Sequence, residues 1–109
     1  MAQAFTPVAS AARTTTGNSG ALTAQGTVLD VLVDCTAVSG TSPTLDVTVE
    51  WSHDGTNFAA ADTADAFTQI TAAKKTVKRF DLKGPYHRFV WTIGGTTPSF
   101  TFSIGEFAR

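Results

Sequence analysis

The sequence predicts an all-β protein. It reads as a single-domain antiparallel β-sandwich, jelly-roll or immunoglobulin-like, with an extended N-terminal arm at residues 1–21 and the sandwich at 22–109. Three observations carry this. Residues 40–49 (GTSPTLDVTV) and 95–104 (GTTPSFTFSI) write one phrase twice: Gly, Thr, a hydroxyl residue, Pro, a hydroxyl residue, then strict apolar–polar alternation. Gly and Pro punctuate a turn, and Pro is tolerated at a strand's first position, where no ladder N–H is needed. Other short runs alternate in the same way between turn signals, and no helix-length period of 3.6 residues appears anywhere.

The elements follow in order. Residues 1–21 are rich in Ala, Ser, Thr and Gly, and TTTGNSG (14–20) is a loop by composition. This segment is either a frayed terminus or an arm that orders on a neighbouring subunit, anchored by Phe5, Pro7 and Val8. Residues 27–38 read as a strand with Leu29, Val31, Val33 and Cys35 on one face. Its other face (Val28, Asp30, Leu32, Asp34) is mixed, so it is either partly covered or at an interface. Residues 44–52 form the clearest strand, with Leu45, Val47, Val49 and Trp51 inward. Asp54-Gly55 then signals a hairpin.

Residues 59–73 are Ala-rich and read as a loop plus a short strand at 67–71, with a helical turn as the alternative. Residues 75–82 form a strand, and Gly84-Pro85 a turn. Residues 86–93 place His87, Phe89, Trp91 and Ile93 on one face, and the last strand, 99–104, places Phe100, Phe102 and Ile104 together. Eight Phe and two Trp supply a large apolar payload for one core.

At 109 residues the chain suits one domain, whose folding buries roughly two-thirds of the unfolded surface. Charged residues are only 16% of the chain, against a typical ~25%, so much of the surface can face a partner without stranding an ion. A net charge of −1 argues against nucleic acid as a partner. The charges are segregated: most acids lie at or before Asp65, and Lys74, Lys75, Lys78, Arg79, Lys83 and Arg88 follow. That basic stretch is either a solvated strand face or a docking face for acidic groups. The first residues carry neither the basic nor the apolar region of a secretory signal, and no run approaches the ~18 apolar residues of a membrane helix. Synthesis in a cytoplasm and no membrane partner are the expectations.

Residue patterns that carry chemistry are few. Cys35 is the lone cysteine and alternates with apolar residues, so a buried thiol is expected. G-x-S-x-G is absent. His53 reads as an exposed turn residue and His87 as a packed or rim histidine. Asp54, Asp62 and Asp65 lack the D-x-D-x-D-G spacing of a calcium loop. Trp51 and Trp91 alternate as core residues, with a sugar platform as the alternative. The expectation is a non-enzyme without metal or cofactor.

The stretch SPTLDVTVEWSHDGTNF, followed by FTQIT and KRFDLKGPYHRFVWTIGGTTPSFTFSI, resembles small virion proteins of the tailed-bacteriophage head module, among them capsid decoration (cement) proteins built as compact β-sandwiches. The resemblance covers about residues 40–107 and is most specific in the W-S-x-D-G-x-x-F hairpin and the terminal G-G-T-x-P-S-F-T-F. It implies a protein that is made in the bacterial host cytoplasm and binds the outside of a capsid. The implied partner is the major capsid protein, and the implied homo-oligomer is a trimer at local three-fold positions. Phe5, Pro7, Val8, Arg13, Lys74 and Lys75 are then the expected capsid or inter-subunit contacts. A tail or head–tail joining component, or a carbohydrate- or surface-binding module, are the alternatives.

Overall fold

The computed structural model describes residues 3–109 of the chain, with side chains from residue 5 onward. Seven strands run in chain order: β1 (Gln3–Arg13), β2 (Gly17–Asn18), β3 (Leu22–Thr23), β4 (Val28–Ser52), β5 (Ala59–Ala66), β6 (Lys74–Asp81) and β7 (Tyr86–Ala108). All pairings are antiparallel, and there is no helix among the described residues.

The two expected strands 27–38 and 44–52 are one element, β4. The expected strands 86–93 and 99–104 are likewise one element, β7. The repeated phrase lies at their midpoints, and there the β4–β7 ladder breaks register and bends. The two corners are near copies. Gly40 and Gly95 have φ of 110° and 112°, and Ser42 and Thr97 have φ of 48° and 46°. Each glycine meets the other's corner: a Cβ on Gly40 would lie 2.7 Å from the Thr97 carbonyl oxygen, and one on Gly95 2.8 Å from that of Ser42. Only glycine fits both the backbone angle and the approach.

Folding over at the corners turns one ladder into two layers. The first has the order β1, residues 99–108, residues 28–39, β6. The second has β2 and β3, residues 86–94, residues 44–52, β5. With β2 and β3 taken as one interrupted strand, eight strands pair as a nested hairpin, first with last and so inward to residues 44–52 with β5. This is a rolled-up hairpin, a jelly roll rather than an immunoglobulin-like sandwich.

The inward residues of both layers make the core. Leu29, Val31, Val33, Leu45, Val49, Phe89, Phe100, Phe102 and Ile104 are fully buried, as the alternation requires. Trp91 of the second layer packs edge-on against Phe102 of the first, ring centroids 5.5 Å apart.

Two segments depart from expectation. Residues 59–66 form strand β5, which pairs with β4 through Ala59, Ala60, Asp65 and Ala66 while residues 61–64 loop out of register. Ala and Asp are poor strand formers, so the strand leaves no alternating signature. After it, Phe67 and Ile70 are buried, and Ile70 bridges Leu45. The segment expected as an arm runs as β1 along the end of β7, from Gln3 opposite Ala108 to Arg13 opposite Phe100. Bulges on either side of Val8 break its period.

Candidate docking face

The two layers present different outer surfaces. On the second, Arg88 bonds Glu50 at 2.6 Å and covers the Phe58 ring at 4.6 Å, while Gln69 bonds Asp46. That face is closed by its own side chains.

The first layer's outer face is different. Alternation places Asp30, Leu32 and Asp34 outward on β4, and register sets their neighbours. Asp30 lies between Arg79 and Phe107, Leu32 between Val77 and Gly105, and Asp34 between Lys75 and Ser103. Val77 is 67% exposed, Phe5 46% and Leu32 37%, the large apolar side chains the fold leaves in solvent. Beside Gly105, which offers no side chain, runs a groove of about 390 Å³ lined by Phe5, Thr6, Leu32, Val77, Gly105 and Phe107. A glycine inside a strand leaves room for another chain to approach.

Charge frames this face. Arg79 donates to Asp30 at 2.7 Å, which together with Arg109 holds the Asp30 carboxyl below its ordinary value. Asp34 has no ion-pair partner among the described residues, although Lys75 stands opposite it, and its covered Oδ1 atom accepts no hydrogen bond. Elsewhere Lys83 meets Asp65 at 2.8 Å. Early acids and late bases therefore meet within one chain, Asp30 with Arg79 and Arg109, Glu50 with Arg88, and Asp65 with Lys83. Pairs that keep such contact with water add little stability.

The six contact residues expected from the sequence are not brought together, because β1 and β6 are opposite edges of the first layer. Phe5 is exposed at the β1 edge, and Pro7 is half-buried in a bulge. Val8 lies in the core, where apolar packing removes it from any partner. Arg13 is also committed within its own chain. Its guanidinium donates to the carbonyls of Phe102, Ala9 and Ala11 and lies over the Trp91 and Phe102 rings, and burial lowers its pKa. Lys74 and Lys75 are exposed at the start of β6. Leu32 belonged to the mixed face noted in the sequence; Val77 and Gly105 gave no signal until register placed them beside it.

One polar constellation lies inside. His87 Nε2 and Glu106 Oε1 are 2.7 Å apart with side chains 0% and 1% exposed, joining the two layers. His87 is packed, as expected, against Trp51 and Phe89. Its Nδ1 has no hydrogen-bond partner, which fits a tautomer with the proton on Nε2 donating to the carboxylate, since a bare lone pair costs less than an unmet N–H. Glu106 was missed from the sequence, although its inward parity was a usable sign: two inward polar residues must find each other. A pair so enclosed has no access to a substrate. Burial raises the pKa of the Cys35 thiol. Trp51 and Trp91, 6% and 7% exposed, are core residues and form no surface platform. No three His, Cys, Asp or Glu side chains converge among the described residues.

No family model and no curated protein sequence matches the chain. Among solved structures it is similar to VP2 of the infectious bursal disease virus subviral particle, at 15% identity and a TM-score of 0.52. The similarity covers all of this chain and 32% of that one, so the chain spans about a third of its length. At that identity the likeness is one of fold: the whole chain superposes on part of a viral β-protein.

Proposed function

We propose that this protein is a structural, non-enzymatic component of a tailed-phage virion that binds the outside of the capsid in many copies and stabilises the shell. The observation that carries the reading is the jelly roll itself, which the whole chain shares with part of a protein from a viral particle. The resemblance of residues 40–107 to head-module proteins points the same way. The contact surface in this reading is the first layer's outer face beside β1, where Phe5 and Phe107 flank the Gly105 groove. Binding the assembled shell and not its loose subunits stabilises the shell by mass action, and many weak contacts act together.

The test is co-sedimentation of the purified protein with mature heads that lack it, quantified as copies per shell. Saturable binding at many copies supports decoration. Binding at a handful of copies, confined to one vertex, moves the protein to the tail or head–tail joint. Glycan-dependent binding without heads favours the surface-binding alternative. Deleting residues 1–20 is unsuited to this test, because it removes β1 and core residue Val8. Phe5→Asp is the better variant: it should keep the fold and lower head occupancy.

A further inference from the structure

We infer that the β4–β6 half of the first layer's outer face is a self-pairing surface whose occupant is a second copy of this chain. Register supports this pairing. Three successive cross-strand rows read Asp30–Arg79, Leu32–Val77 and Asp34–Lys75 from β4 to β6. Each row sets an acid beside a base or an apolar residue beside another. A two-fold axis lying in the face, along the strands and between β4 and β6, exchanges the two strands. It sets each Asp30 against the partner copy's Arg79, each Leu32 against Val77, and each Asp34 against Lys75. No like charges oppose one another in these rows, the fourth row of the strip sets each Asp81 against the partner copy's Val28, and the modest crossing of aligned sheets preserves the match.

Two further observations point to a second copy. Asp34 and Lys75 form no ion pair among the described residues, and this arrangement gives one to each. The alternative, β6 pairing edge to edge with itself, is opposed by its own charges. A two-fold axis normal to the sheet would bring Lys75, Lys78 and Arg79 of the two copies together.

The overlap sets the strength. Eight β6 residues at ~3.3 Å each give a strip about 26 Å long. With two strands and their side chains in contact, it buries roughly 400 Å² per copy, about half of what a stable complex uses. The pair is therefore weak, salt-sensitive and favoured where copies are crowded. The contact is isologous and closes at two copies, so its unit is a pair and not the trimer expected from the resemblance. It does not depend on a shell, and its test contains none.

The experiment is sedimentation equilibrium of the full chain at low salt, with Asp34→Lys, Lys75→Asp and a 1:1 mixture of these two variants. Circular dichroism and thermal melts confirm that each variant is folded. The wild type should dimerise with a dissociation constant below about 1 mM. Each variant alone should associate at least tenfold more weakly, because it sets like charges against each other across the axis. The mixture should regain wild-type association, because in the mixed pair every 34–75 contact again joins opposite charges. Wild type that stays at the 11.4 kDa monomer mass, variants that associate like wild type, or a mixture no stronger than its components would each overturn the proposal.

Discussion

Residues 3–52 and 59–108 fill equivalent places in the roll, yet their strands end differently. Both halves turn the same corner, with the same left-handed glycine and the same left-handed hydroxyl residue two positions on. Both then send three residues inward, Leu45, Val47 and Val49 in one and Phe100, Phe102 and Ile104 in the other. One step further the place is kept and the chemistry changes. The first half has Trp51, opposite His87, and the second has Glu106, opposite Val31. Trp51 turns its indole N–H to Asp65 at the rim, whereas Glu106 holds His87 in the interior. Corners and parity, which both halves repeat, hold the framework; the buried polar bond belongs to one end only.

The largest expected effect tests the shared part. Val49→Asp and Ile104→Asp occupy equivalent, fully buried positions, and each places an unpaired charge in the core. Both should abolish the cooperative thermal transition; a stable, well-folded variant of either would break the facing assignment. Next come the ends. Glu106→Ala leaves the His87 Nε2–H without an acceptor in an apolar pocket and should cost about 1–3 kcal/mol in urea unfolding for the stranded donor, with the cavity adding to it. Replacing both residues together, His87→Leu with Glu106→Leu, should cost far less than the two single leucine changes added, because no buried polar group is left unmet.

The corners follow. Gly40→Ala and Gly95→Ala each force a Cβ into a left-handed backbone against the opposite chain and should each cost about 2 kcal/mol or more. The two losses should be alike; a large inequality would show that the corners are equivalent in shape alone.

The smallest effect concerns the hairpin between β4 and β5. The Asp54 carboxylate accepts from the Asn57 and Thr56 N–H groups, the Asn57 amide and the Ser52 hydroxyl, which together hold its pKa well below the ordinary carboxylate value. A pKa lowered in the folded state gives stability that is present above the unfolded value of about 3.9 and lost as pH falls toward the folded one. Asp54→Ala should therefore destabilise at neutral pH, with a difference from wild type that shrinks below about pH 4. Denaturant unfolding across that range measures it.

Much of this was legible in the sequence, for local reasons. Period-two alternation assigned Leu29, Val31, Leu45, Val49, Phe100 and Phe102 to the core, and the duplicated Gly–Pro phrase marked the two bends. What was not legible depends on contacts distant in sequence. The corners read as turns between separate strands, because only pairing shows that both long ladders continue through them. Strand β5 was hidden because alanine carries no periodicity. The bulges in β1 disguised Val8 as part of a loose arm, and Glu106 lies beyond the strand read at 99–104, so its bond to His87 across the layers went unread. The contact face was half visible in the mixed row Asp30, Leu32, Asp34; the other half, Val77 and Gly105, lies on strands that only folding brings alongside.

Strand β7 is the central partner of both layers, pairing with β4 along its length and with β1, β2 and β3 besides. During synthesis it is made after the other six strands of this sheet. Until it emerges from the ribosome, β1, β2 and β3 have no ladder to join, and one whole side of β4 stays unpaired. Strand β1 must then wait for residues about a hundred positions later, as Phe5 does for Glu106. Pairing over such separations is slow, in the range of milliseconds to seconds. Until β7 is made, β4 therefore carries an open edge, the kind of exposed strand that invites aggregation.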